Sequence, residues 1–150
     1  MSRENPSLIE KGREFLEWLS DWYTNLKPMS LHSLTGDPAR VAVCSVDMIN
    51  GFCYEGTLSS ARAAACAKPI VDLFQRAHAR GVRNFILIQE WHSEKAEEFN
   101  AYGPHCVRGS REVETIPELA SLPFANDFVI VHKNSLHTIV GTTMEQWLQE

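Results

Sequence analysis

VAVCSVD, residues 41–47, decides the fold. Val41 to Val46 is a run of small and β-branched residues, too short for a helix and apolar on both faces, as a central strand of a parallel sheet is. Asp47 closes it. Two comparable runs follow: VRNFILIQ, residues 82–89, which ends at Glu90, and FVIV, residues 128–131, which leads into His132 and Lys133. Between the first two lies an Ala-rich stretch from Ser59 to Arg80, with Ile70, Val71, Leu73, Phe74 and Ala77 along it. It predicts a helix, stopped by Gly81 in the position just past the last turn where glycine is favoured. After Gly141, Thr142 to Leu148 begins another helix, with Met144, Trp147 and Leu148 on one side. Strands alternating with helices imply an α/β fold with a parallel sheet and right-handed crossovers.

Upstream, Leu8, Ile9, Phe15, Leu16, Leu19, Trp22, Tyr23 and Leu26 recur at three- to four-residue intervals, with Glu10, Lys11, Glu14, Glu17 and Asp21 between them. This spacing predicts an amphipathic helix over Leu8–Leu26. Lys27 to Pro38 holds two prolines, Gly36 and several hydroxyl residues, and reads as a connector. The expected organisation is therefore an N-terminal helix and linker over 1–39 and the α/β domain over 40–150.

The composition excludes several classes. At 150 residues, 44% hydrophobic and 22% charged, the chain has enough material for one core and is not a disordered chain. Fourteen Lys+Arg against nineteen Asp+Glu give a net charge of −5, which argues against a nucleic-acid partner. The first twenty residues carry Arg3, Glu4, Glu10, Lys11, Arg13 and Glu14, so they hold no secretory apolar core, and no apolar run is long enough for a membrane span. Cys44, Cys53, Cys66 and Cys106 form no C-x-x-C pair. A cytoplasmic protein with reduced thiols and no membrane partner is expected. Cys44 and Cys66 read as small core residues, and Trp18 and Trp22 as core or interface.

In open parallel sheets the ligand crevice lies beyond the carboxyl ends of the strands. Each of the three strands places an ionisable residue there: Asp47 after the first, Glu90 and His92 after the second, Lys133 after the third. Polar residues also end strands simply because strand ends meet solvent, and for Lys133 the competing reading is an exposed surface lysine.

Three segments, VAVCSVDMINGFC (41–53), ILIQEWHSEKAEEFNAYGPHCVRG (86–109) and VIVHKNSLHTIVGTTMEQWL (129–148), resemble the isochorismatase-like cysteine hydrolases, the family that includes nicotinamidases. The P-H-C-V-x-G run and the D-x-x-x-x-F exit from the first strand carry the resemblance most specifically; the N-terminal helix lies outside it. The resemblance implies a Rossmann-like parallel sheet with flanking helices in strand order 3-2-1-4-5-6. Residues 40–150 would supply only the first three strands, a truncated domain. Val41–Val46 would then be an exposed apolar edge, so that the chain needs a partner, belongs to a longer product or is poorly stable.

Family members that hydrolyse amides use an Asp, a Lys and a Cys, and the resemblance assigns the first two roles to Asp47 and Lys133. A carboxylate can take the thiol proton and an ammonium can stabilise the thiolate. The nucleophilic Cys is expected at the end of a fourth strand, beyond residue 150; Cys53 and Cys106 lie on loops near the expected pocket but not at that position. Glu90, His92 and His105 match positions that hold a divalent ion in many nicotinamidases, with Glu in place of Asp, and Zn²⁺, Mn²⁺ or Fe²⁺ would suit the donors. Ala96 falls where one form of the motif has a further ligand, and Glu94, Glu97 or Glu98 are candidates to supply an oxygen. A metal-free pocket in which His92 and His105 only hydrogen-bond is the competing reading, and no other cofactor is required. Phe52 and Tyr102 match rings that sandwich a flat substrate, although Phe52 also suits plain core packing. His32, His78, His132 and His137 read as structural or surface residues.

The implied function is hydrolysis of a small carboxamide through a thioester, complete only with the downstream Cys, so that residues 1–150 alone are expected to be inactive. Two alternatives stand beside it: vinyl-ether hydrolysis of the isochorismatase type, which needs no Cys, and a non-catalytic binding or scaffold protein. A homo-oligomer formed through the N-terminal helix is open.

Overall fold

The computed structural model describes residues 7–30 and 36–149. Arg3, Glu4, His32 with the rest of connector residues 31–35, and the side chains of Leu8 and Lys11 lie outside the described residues. The chain divides into two units, Met1–Gly36 and Asp37–Glu150.

In the first unit, helix α1 spans Leu8–Thr24. A capping box starts it: the Ser7 hydroxyl accepts from the Glu10 N–H at 3.2 Å, and the Glu10 carboxylate accepts from the Ser7 N–H at 2.8 Å. Asn25 ends it, its N–H donating to the Asp21 carbonyl. Ile9, Phe15, Leu16, Trp18, Trp22 and Tyr23 are exposed, which corrects the core reading of Trp18 and Trp22. Among the described residues, no helix is long and apolar enough to cross a membrane.

In the second unit, β1 (Ala42–Val46), β2 (Asn84–Glu90) and β3 (Val129–Lys133) form one parallel sheet in the order β1-β2-β3. The register runs from Ala42↔Asn84 to Val46↔Ile88, and from Ile86↔Val129 to Glu90↔Lys133. Helices α2 (Asn50–Cys53), α3 (Ala61–Ala64), α4 (Ala67–Ala79), α5 (Phe99–Tyr102), α6 (Pro117–Ala120) and α7 (Met144–Gln149) fill the connections.

The expected single helix over Ser59–Arg80 is two helices, α3 and α4, with a break at Ala65–Cys66. Pro69 explains the break: it has no N–H to donate to the Ala65 carbonyl and its ring crowds that oxygen, so the helix restarts with Pro69 in its first turn.

Partners in a parallel register share a face. On one face Phe85 and Leu87 of β2 pack with Phe74 of α4, Leu119 of α6, Ile116, Leu122 and Phe124. The Phe74 and Phe85 rings lie 5.0 Å apart, Phe85 and Phe124 5.1 Å. On the other, Ile86 and Ile88 pack with Val131 of β3 and Met144 of α7. This cover is diagonal, so β2 is buried on both sides while each edge strand is bare on one. Cys44 and Val46 of β1 are exposed on the Ile86–Ile88 face, and Ile130 of β3 on the Phe85–Leu87 face. Val41–Val46 is therefore an apolar edge, not a strand buried on both faces. Two cysteine expectations are corrected with it: Cys44 is exposed because β1 has no cover on that side, and Cys66 is exposed because it sits in the break before α4.

Candidate active site

The register alone brings the strand-end residues together. Lys133 is the direct partner of Glu90, and Asp47 follows Val46, the partner of Ile88. At Asp47 the chain turns out of the sheet with φ +56°, a left-handed conformation that Asp tolerates better than most residues, while its N–H still donates to the Ile88 carbonyl at 2.8 Å. The turn is tied from the other side, since Ile49 bridges Thr115 and the Asn50 N–H donates to the Glu114 carbonyl. Its side chain thereby points along the strand ends: Oδ1 accepts from the Glu90 N–H at 3.1 Å, and Oδ2 lies 2.9 Å from Lys133 Nζ.

Lys133 Nζ also donates to Glu90 Oε1 at 3.0 Å. Lys133 and Glu90 are each only 3% exposed, so the surface-lysine reading is set aside. Burial alone lowers the pKa of Lys133, but the Asp47 and Glu90 carboxylates outweigh it and hold the ammonium above its ordinary value. Asp47 moves up as well: burial is the largest cause, offset in part by Lys133 and reinforced by the Glu90 charge.

The second carboxylate oxygen of Glu90 has no hydrogen-bond donor. It faces His92 Nε2 and His105 Nε2, each at 3.4 Å. His92 is fully buried and neither ring nitrogen has a partner. His105 Nδ1 lies 2.8 Å from the Gly103 carbonyl, which can only accept; Nδ1 therefore carries the proton, and in the neutral ring Nε2 turns its lone pair toward Glu90. Two buried acceptors, Glu90 Oε2 and His105 Nε2, pointing at each other beside an unpartnered imidazole nitrogen of His92 are costly unless a cation or a proton lies between them. Glu90, His92 and His105 each offer a donor atom within 4.8 Å of the others, the spacing of a divalent-ion site. The donor set of two imidazoles and a carboxylate fits such an ion.

The loop that carries His105 is pinned against β2. The His92 N–H donates to the Cys106 carbonyl at 2.9 Å and the Arg108 N–H to the His92 carbonyl at 3.0 Å, a short parallel bridge between His92 and Val107. Cys106 has φ +45°, and its N–H donates to Glu112 Oε2 at 2.8 Å. Gly51 of α2 presses against the same point: a Cβ there would stand 2.8 Å from Cys106 Sγ. Burial, followed by the Glu90, Glu112 and Asp47 charges, pushes the Cys106 thiol up to about 12, which disfavours its thiolate.

Asp47, Glu90, His92, His105 and Lys133 thus form one continuous polar cluster. Phe52 is half-buried on α2 and Tyr102 is exposed on α5. Three contributors lie outside the sequence reading: Phe99 sets its ring edge-on to His92 at 5.5 Å and to His105 at 5.4 Å, Gly103 fixes the His105 tautomer, and Glu112 holds Cys106. Of the three glutamates offered as oxygen donors, Glu98 brings Oε2 to 3.8 Å from His92 Nε2. His78 stacks on Phe124 at 4.0 Å, His132 lies against Trp91 at 4.2 Å, and His137 Nδ1 accepts from the Ile139 N–H, all away from the cluster.

Comparison with known proteins follows this geometry. N-carbamoylsarcosine amidase from Thermoplasma acidophilum superposes with a TM-score of 0.63 at 21% identity, over 72% of this chain and 60% of its own. A cysteine hydrolase from Pseudomonas syringae pv. phaseolicola gives 0.64 at 29% identity, over 75% of this chain and 55% of its own. The pyrazinamidase of Pyrococcus horikoshii, in complex with zinc, gives 0.61 at 21% identity, over 72% of this chain and 63% of its own. This chain therefore spans less than two-thirds of the length of each of these relatives. No curated protein matches it. The profile of the isochorismatase domain matches residues 41–150, from the first residue of the VAVCSVD run through all three strands and the whole polar cluster. By that match over more than half its length, the chain belongs to the isochorismatase family.

Proposed function

We propose that this domain, completed by a downstream segment, hydrolyses the C–N bond of a small carboxamide as a cysteine hydrolase. One observation carries the reading: the 2.9 Å pair of half-buried Asp47 and buried Lys133 at the carboxyl ends of β1 and β3, the two parallel strands that flank β2. A carboxylate raised by burial is a serviceable base toward a thiol and, once protonated, a serviceable acid toward a leaving amine. Asp47 takes the thiol proton from a Cys supplied beyond residue 150, and that thiolate attacks the amide carbon. Lys133 stabilises the thiolate by its charge. Asp47 then returns the proton to the departing nitrogen as the thioester forms, and water hydrolyses the thioester. Cys106, buried and with its thiol pushed up by burial and the neighbouring carboxylates, is not the nucleophile in this reading. Phe52 and Tyr102 are proposed to bracket the flat face of the substrate.

Glu90, His92 and His105 are proposed to hold a divalent ion, Zn²⁺, Mn²⁺ or Fe²⁺. The undonated Glu90 Oε2 and the bare nitrogens of His92 support that fit. When bound, the ion supplies positive charge that anchors and polarises a basic atom of the substrate.

The raised Asp47 carboxyl also favours a second reading, acid-assisted hydrolysis of a vinyl ether without a Cys. Substrate panels separate them: nicotinamide and related amides assayed for ammonia, isochorismate-type vinyl ethers for pyruvate. Each is run with the 150-residue chain and with the product of the full reading frame. Ammonia from the longer protein alone supports the amidase. Pyruvate from either protein supports the vinyl-ether reading, and turnover of neither by either protein leaves a binding or scaffold role.

A further inference from the structure

None of the described side chains of α1 is buried, and Ile9, Phe15, Leu16, Trp18, Leu19 and Trp22 are between 37% and 77% exposed. A helix of this length gains most of its stability from packing such a face rather than from intrinsic propensity. Its polar side carries Glu10, Glu14, Glu17 and Asp21 against Arg13, an acidic stripe that the anionic surface of a membrane repels. A protein surface is the better cover. The helix carries its own complement. Gly12, Phe15, Leu19 and Trp22 follow one another at three- and four-residue steps, the spacing of a coiled-coil seam, with Leu16 and Tyr23 flanking it on one side and Trp18 on the other. A Cβ at Gly12 would meet nothing, so the seam has a notch near one end and its largest side chain, Trp22, near the other.

We propose that α1 pairs antiparallel with α1 of a second copy of this chain, Gly12 of each copy receiving Trp22 of the other. A parallel pair would set notch against notch and indole against indole. Turned antiparallel about a two-fold axis at the level of Glu17, the same residues fit: the notch of each helix takes the indole of the other, Phe15 meets Leu19, and Leu16 meets its own counterpart beside the axis. The helix dipoles then oppose each other as well. At ~200 Å² for a large side chain, the exposed apolar residues leave on the order of 1,000 Å² uncovered on one helix, so burying roughly two-thirds of that on both copies reaches the ~1,200 Å² of a stable interface. The acidic stripe stays on the outside of the pair.

Sedimentation equilibrium of the full chain tests this, up to ~100 µM, where a dimer of micromolar Kd is filled. The chain is kept reduced so that exposed Cys44 and Cys66 cannot cross-link. A dimer is expected. Leu16→Glu, which sets two carboxylates face to face beside the axis, is expected to weaken association by roughly tenfold or more, whereas Ser20→Glu, of equal charge change on the polar side, changes it by less than about threefold. Gly12→Leu is the sharper variant. It raises helix propensity, so a melted helix cannot explain its effect, yet it fills the notch and is expected to weaken association by roughly tenfold. Adding Trp22→Ala to Gly12→Leu moves the notch to the other end of the seam and is expected to restore most of the association. A monomer at every concentration overturns the proposal, and so does a dimer that ignores Leu16→Glu, which would place the contact elsewhere in the chain. Weakening by Leu16→Glu without weakening by Gly12→Leu, or a double variant no better than Gly12→Leu, overturns the antiparallel register.

Discussion

The central strand β2 and its two edge strands are finished in opposite ways. Phe85, Ile86, Leu87 and Ile88 are buried on alternating faces and anchor both apolar clusters. On the edges, Val46 of β1 is 51% exposed and Ile130 of β3 49% exposed. Yet each edge strand ends in a residue held inside the polar cluster: Asp47 after β1 and Lys133 at the end of β3. Each edge strand thus leaves one face bare, while the residue at its end is held inside the polar cluster proposed to carry the chemistry. Among the described residues β1 pairs with β2 alone, which makes its outer side the kind of edge onto which another strand adds.

Substitutions can break or sharpen that contrast. The largest effect is expected from Lys133→Met, which leaves buried Glu90 and half-buried Asp47 without their shared cation; about 3–5 kcal/mol should be lost in urea denaturation. Phe85→Ala, which empties the centre of the aromatic cluster, should cost a similar amount, about 3–5 kcal/mol, by the same measurement. Gly51→Ala drives a methyl into Cys106 Sγ and should cost about 1–3 kcal/mol while displacing His105, visible as weakened Zn²⁺ binding. Val46→Thr and Ile130→Thr should each stay within about 0.5 kcal/mol, and Val46→Thr should lower binding of a hydrophobic dye. A cost above about 2 kcal/mol at Val46 would mean that β1 is covered in solution.

A pH series adds a finer probe. The Cys106 thiol is pushed from an ordinary 9.0 up to about 12, so the folded state keeps a proton that the unfolded state releases. Stability contributed by that proton is complete below pH 9 and is lost as pH rises from 9 toward 12. The melting temperature should therefore fall less steeply above about pH 9 in Cys106→Ala than in the unaltered chain. Equal slopes would show that Cys106 is not buried as described.

The sequence made the strands legible because their runs are short, apolar and closed by charged residues; Asp47, Glu90, His92 and Lys133 followed from those strand ends, and His105 came in through the family resemblance. What stayed hidden depends on cover and local geometry. Cys44 and Val46 look like core residues until the diagonal packing leaves their side bare. The break at Ala65–Cys66 was signalled by Pro69 but masked by the alanines around it. Glu112 and Gly103 act through turns whose shape is set by contacts across the fold, and nothing in the spacing of Glu94, Glu97 and Glu98 says which of them comes near His92.

The pairing of Asp47 with Lys133 as an acid–base device is the central claim, and ammonia release from nicotinamide by the product of the full reading frame tests it most directly. Asp47→Asn keeps the shape of the side chain but cannot accept the thiol proton. The expected result is a fall in kcat/KM of roughly 10²–10⁴-fold with the metal-binding stoichiometry unchanged. Retention of activity within about threefold of the unaltered protein would contradict the account.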